Sequence, residues 1–206
     1  MNSIPLTGLT PDRPRRWPYV LVGGVGLLAL VIALSSGGGE GRYGARAGVY
    51  ALTAADLAAT GRWVPSAGPV DFGRVFSAAR ALPGVAAPDD RHVAAFRSAD
   101  GSAEVFQVTV LYDDAADAES LVRSGAVASL SSAFGLTSEP WALDGADDVR
   151  RWRGPGVEAL SFRMAGAVVF VGALGVGAPP IVEMAAATVR DRLATLPPAT
   201  GTADTP

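Results

Sequence analysis

An uncharged apolar run near the N-terminus constrains this chain more than any other feature. Tyr19 to Leu34 reads YVLVGGVGLLALVIAL and holds ten Val, Leu or Ile side chains. With Trp17 and Pro18 the run spans 18 residues, roughly 27 Å of α-helix, which suits a hydrocarbon core of about 30 Å. The run therefore predicts a single transmembrane helix over residues 17–36. Trp17 and Tyr19 fall where an interfacial aromatic belt would lie. Arg13, Arg15 and Arg16 precede the run, and Glu40, Arg42 and Arg46 follow it. That bias favours a cytoplasmic tail at 1–16 and an extracytoplasmic remainder. Two other readings stay open. Ala33-Leu34-Ser35 could serve as a signal-peptide cleavage site, and Arg15-Arg16 could belong to a twin-arginine export signal. All three send the bulk of the chain outward.

Composition then removes several chemistries. The sequence has no Cys, no Lys and one histidine, His92. Disulfides, thiol catalysis, lipoprotein anchoring, Cys/His zinc sites, Schiff bases and the P-loop lysine are thereby excluded. The expected cofactor and metal content is none. The first 18 residues carry three Arg against Asp12, so of the net charge of −3 the remainder carries −5. A mildly acidic exterior gives no electrostatic case for nucleic-acid binding.

Residues 37–48 (GGGEGRYGARAG) read as a Gly-rich linker, 49–196 as one extracytoplasmic domain, and 197–206 as a disordered tail. Within the domain, Thr53 is placed to cap a short helix of Ala54 to Ala59, and Phe72, Val75, Phe76 and Ala79 fall at helical spacing. Arg91–Ser98 and Ala103–Tyr112 read as a hairpin around Asp100-Gly101, followed by a helix from Asp113 to about Phe134. Val149–Arg153 reads as a strand. Val157–Met164 and Ala167–Leu174 read as a tight hairpin, followed by a helix from Pro179 to Leu196. The uncharged stretch from Met164 to Val182 reads as a buried strand plus loop, with a second membrane span as the alternative; Pro179-Pro180 argues against a continuous helix there. Phe96-Arg97 and Val105-Phe106 recur as Phe162-Arg163 and Val169-Phe170. The expected fold class is therefore α+β: an antiparallel sheet with helices packed on one face, arranged as two β-β-α repeats.

Candidate chemistry is sparse. Asp113-Asp114-Ala115-Ala116-Asp117 spells a DDxxD pattern that could hold magnesium. At a helix start, however, the same carboxylates read as caps. Gly172, Gly175 and Gly177 lie between a strand and a helix without the order of a dinucleotide loop. His92 could face Asp89 or Asp90 and a serine such as Ser129, Ser131 or Ser132, but no G-x-S-x-G elbow occurs. An exposed or capped histidine at a strand start is the expectation. The ligand-binding candidates are Arg151, Arg153 and Arg163 around Trp152. Strand alternation sets Arg151 and Arg153 on one face with Trp152 opposite, where they could meet an anionic ligand, a cell-wall polymer or a lipid headgroup.

Leu52-Thr53-Ala54-Ala55-Asp56-Leu57, Tyr112-Asp113-Asp114-Ala115-Ala116-Asp117-Ala118 and Phe162-Arg163-Met164-Ala165-Gly166-Ala167-Val168-Val169 give the chain a likeness over residues 50–196. It resembles membrane-anchored or lipoprotein extracytoplasmic domains of high-GC Gram-positive bacteria, some of them sensor-domain-like. The resemblance implies an α+β sandwich of sheet and helices and no catalytic residues. The functional expectation is a non-enzymatic, single-pass, membrane-anchored binding or sensor module of the cell envelope. Its expected partners are the lipid bilayer and an envelope protein or anionic ligand, with no nucleic acid. The alternatives are a structural subunit of an envelope membrane complex and a carboxylate-dependent envelope hydrolase.

Overall fold

The computed structural model describes residues 45–66, 86, 88–123, 136–175 and 177–195. The expected cytoplasmic tail at 1–16, the expected membrane helix at 17–36, the expected linker up to residue 44, the helix expected around Phe72–Ala79 and the expected tail at 197–206 lie outside the described residues. Among those described, no helix is long and apolar enough to cross a membrane.

Seven strands form one antiparallel sheet: β1 (Trp63–Pro65), β2 (Asp90–Ser98), β3 (Ala103–Leu111), β4 (Thr137–Pro140), β5 (Asp147–Gly154), β6 (Val157–Met164) and β7 (Ala167–Gly175). Their spatial order is β1-β2-β3-β7-β6-β5-β4. Among the described residues three α-helices accompany them: α1 (Ala45–Gly48), α2 (Ala115–Arg123) and α3 (Ala178–Leu193). The centre of the sheet is the β3–β7 pair, in register from Ala103 opposite Gly175 to Leu111 opposite Ala167. Both expected hairpins are present. The β2–β3 turn is tied by Asp100, whose Oδ1 accepts from the Ser98 and Ser102 hydroxyls and the Ser102 N–H. The β6–β7 turn is two residues long, with Ala165 at φ 48°. The run from Met164 to Val182 contains strand β7 and the start of α3, as the strand reading expected.

Strand alternation sorts the side chains into two faces. Val169, Val171, Leu160, Phe162 and Val105 share one core with Ile181, Val182, Ala185, Ala186, Val189 and Leu193 of α3. Four of these α3 side chains are Ile, Val or Leu at 8% exposure or less, and such burial contributes on the order of 6–12 kcal/mol before entropy is counted. Pro179 and Pro180 occupy the first turn of α3, where their missing N–H groups leave no bond unmade. The opposite face carries Phe106, Val108, Phe170 and Trp152. There Gly172 lets the Phe106 ring lie flat, since a Cβ would stand 2.3 Å from that ring. The same face receives α2, whose Ala118 and Leu121 pack on Val110, Tyr112 and Val168.

The helices therefore lie on opposite faces, not on one face as expected. The junctions explain why. After Leu111, Tyr112 turns toward the α2 face and is buried there, its N–H donating to the Gly166 carbonyl. The β7–α3 loop instead turns through Gly175 and Gly177 at φ 101° and 80° toward the other face. Two further expectations change. The linker's last residues, 45–48, form α1, and Ala47 is fully buried. The helix expected at Ala54–Ala59 is a pair of turns ending in a 3-10 turn, Ala58–Thr60. Asp56 accepts from the Thr53 N–H and hydroxyl. Strands β1 and β4 were not foreseen.

Candidate functional site

The face that α3 covers has a second half, over β2 and β3, where polar side chains lie among the apolar Phe96, Val105 and Leu111. Asp90, His92, Gln107 and Thr109 lie along it, with His92 opposite Thr109 and Asp90 opposite Leu111 in the ladder. Gln107 and Thr109 are at most 1% exposed and Asp90 is 8% exposed. Buried polar groups need partners, and here the N-terminal strap, residues 45–60, supplies them. The Ala47 N–H donates to Asp90 Oδ2 at 2.9 Å. The Leu52 N–H donates to Gln107 Oε1 at 2.6 Å, and Gln107 Nε2 donates to the Tyr50 carbonyl at 3.1 Å and to Thr109 Oγ1 at 2.7 Å. One amide side chain thus reads the strap backbone as a neighbouring strand would.

Helix α3 holds the strap from the other side. Arg192 donates through Nη1 to the Ala51 carbonyl, and through Nη2 to both carboxylate oxygens of Asp56 at 2.7 and 2.8 Å. Burial pushes the Asp56 carboxyl up, but the Thr53 hydrogen bonds and Arg192 outweigh it, so its pKa lies below the ordinary value. Leu52 and Leu57 seal the strap into the α3 core. At its exposed start, Arg46 pairs with Asp113 at 2.8 Å, a contact that contributes little by itself. A groove of about 460 Å³ opens between Val49 and Tyr50 of the strap and Thr188, Asp191, Arg192 and Thr195 of α3.

His92 lies under α1. A Cβ on Gly48 would stand 3.3 Å from its Nδ1, so the ring packs directly on the strap backbone. That Nδ1 is buried and has no hydrogen-bond partner. Burial pushes the imidazole pKa down, and the charge of Asp90 opposes it only in part. The expected exposed or capped histidine is thus a half-buried one inside β2. The strand starts one residue earlier than the isolated sequence suggests, because Asp90 already pairs with Leu111. The serines at 129, 131 and 132 lie outside the described residues.

The arginine candidates are placed as alternation requires. Arg151 and Arg153 lie on the α3 face, and Trp152 is buried opposite, donating through Nε1 to Ser161 Oγ at 2.9 Å. Arg163 lies on the other face, pairing with Asp147 at 3.2 Å and Asp148 at 2.9 Å. The three cations therefore do not converge. Arg153 bridges Glu139 and Glu158. Arg151 is 5% exposed. It pairs with buried Glu158 and with Glu183 of α3, and its guanidinium lies 4.2 Å from the Trp141 ring centroid. Each guanidinium is already engaged by carboxylates of its own chain, and Arg151 ties β5, β6, α3 and the segment after β4 together. Asp114 Oδ1 accepts from the Ala116 N–H at the start of α2, the capping arrangement. Among the described residues, no cluster of three His, Asp or Glu side chains could hold a metal ion.

The chain is thus an α+β protein with a seven-stranded antiparallel sheet and helices packed on both of its faces. Neither protein-family models nor curated protein sequences give a match to it.

The sequence reasoning missed Gln107, the bond from the strap to Asp90 and the Asp56–Arg192 pair. One signal was available: Gln107 is an amide within the apolar run Val105-Phe106-Gln107-Val108-Thr109-Val110, and such a residue needs a buried partner.

Proposed function

We propose that this chain is a single-pass membrane protein, cytoplasmic at its N-terminus, whose α+β domain works outside the cytosol as a non-enzymatic binding or sensor module of the cell envelope. One observation carries the reading. The described chain nearest the apolar run is tied down. Within eleven residues of Leu34, at Ala45, it enters a strap held on the sheet by Asp90, Gln107 and Arg192. A membrane helix leading into such a strap is mechanically linked to the core, so a change in the domain has a path to the anchor. The groove between Tyr50 and Arg192 is where a small ligand would touch strap and α3 at once. The bilayer is the first partner, and an envelope protein or anionic ligand the second.

In this reading the two hairpins descend from one duplicated strand pair. Phe96 opposes Val105 in the first, and Phe162 opposes Val169 in the second. The duplication covers the strands and not the helices, which diverge to opposite faces.

Reporter fusions at the C-terminus test the topology. A phosphatase that folds only outside the cytosol should be active, and a fluorescent protein that folds only inside should be dark. The reverse pattern would overturn the anchored-sensor reading.

A further inference from the structure

We propose that the strap is a proton-sensitive latch: it is closed on the sheet while His92 is neutral and released when His92 is protonated. This deepens the sensor reading by naming what the module responds to, although the latch itself requires only strap and sheet.

The geometry carries the inference. Nδ1 of His92 is buried against the backbone of Gly48, with no acceptor for a proton. A protonated imidazole must donate from both ring nitrogens. Closing α1 over that ring therefore leaves a charged N–H without a partner, which is costlier than a neutral nitrogen in the same place. Lifting α1 gives the ring back to water. The charged groups facing His92 among the described residues are few. Asp90 lies two residues along the same strand and favours the cation. Arg46 comes from the strap, with Asp89 and Asp113 near its guanidinium. Thr109 is the uncharged neighbour across the ladder, and Arg91 projects to the opposite face by alternation. The net pull of Asp90 does not offset burial, since the pKa is lowered.

The sign follows. A histidine whose pKa is lower in the closed form favours closure fully above its ordinary value of about 6.5, and this contribution is lost progressively as pH falls from there through the lowered value. The strap's remaining bonds, from Gln107 and Arg192, do not involve a group titrating in that window. The hinge is thus expected near the strap's N-terminal end, with Leu52 and Leu57 still seated.

The absence of native cysteine makes the test direct. In the full chain in mild detergent, Ala47→Cys places a thiol under the latch, and Ala185→Cys places one under α3; both positions are fully buried. Labelling by a disulfide reagent active at acid pH is compared with the same cysteine in a short peptide, at about pH 7.5 and about pH 5. The Ala47→Cys thiol should gain in relative rate at the acid pH, while the Ala185→Cys thiol stays unchanged. Adding His92→Gln, which cannot take up a proton, should abolish the gain. A rate at Ala47→Cys indifferent to pH would overturn the latch, as would a gain that survives His92→Gln. Acceleration of both thiols together would overturn it too, because that reports global opening. None of these outcomes depends on which side of a membrane the domain occupies, so they stand apart from the topology result.

Discussion

The two halves of the face shared by α3 and the strap are covered in different ways. Over β6 and β7, α3 meets Leu160, Phe162, Val169 and Val171. Over β2 and β3, the strap bonds to Asp90 and Gln107 and packs on His92, with Phe96, Val105 and Leu111 as an apolar border. The apolar half gains stability from area removed from water, which is large and indifferent to register. The polar half exchanges water hydrogen bonds for internal ones, a small net gain that penalises any misplacement. The first arrangement holds a core together. The second fixes one backbone geometry and can let go of it.

The sharpest break of this comparison is on the apolar side. Phe162 is 1% exposed beneath α3, so Phe162→Ala should cost about 3–5 kcal/mol in denaturant unfolding of the full chain. A loss comparable to that of a surface substitution would show that α3 does not rest on this core.

Arg151→Ala should have an effect of similar size for a different reason. It leaves Glu158, which is 7% exposed, with only the longer contact to Arg153 at 3.6 Å, and breaking such a buried pair costs up to about 3–5 kcal/mol. Replacing both members with Met should restore most of that loss. If the double variant is as unstable as the single one, the arginine acts through its stacking on Trp141 instead.

Gln107→Leu sharpens the contrast. It removes the partner of the Leu52 N–H and of the Tyr50 carbonyl, a loss of about 1–3 kcal/mol. The expected signature is local: faster amide exchange at Leu52 with unchanged protection at Val171. Equal loosening of both sites would merge the two halves into one unit.

The smallest effect is at the β2–β3 turn, remote from both. Hydrogen bonds from the Ser98 hydroxyl, then from Ser102, hold the Asp100 carboxyl at a pKa of about 2. Its stabilising contribution is therefore present above the ordinary carboxylate range and disappears as pH falls toward about 2. An NMR titration should find that midpoint, and Ser98→Ala should raise it.

What the sequence revealed divides along the same line. The two long hairpins were legible, since Asp100-Gly101 and Ala165-Gly166 sit between alternating apolar runs, and α3 was legible from its prolines and its apolar stripe. Alternation also set Arg151 and Arg153 opposite Trp152. Strands β1 and β4 were not legible. They have three and four residues, all four in β4 are exposed, and only pairing with a neighbour defines them. The α2 face was misjudged because the direction of a chain leaving a strand depends on the pairing of one residue, Tyr112 with Gly166. The strap was hidden for a related reason. Gln107 lies 55 residues from Leu52, and Arg192 lies 136 residues from Asp56. Local periodicity carries no trace of such contacts, and an isolated polar residue in a strand says only that a partner exists.

Native-state hydrogen exchange under graded low denaturant tests most directly whether the strap is a separate, releasable unit. The Ala47 and Leu52 amides, held by Asp90 and Gln107, should open at a free energy at least about 2 kcal/mol below that of the Val169 and Val171 amides in the central sheet. Opening of all four amides at one common free energy would mean that strap and core unfold as a single body, and the division between the two halves would not stand.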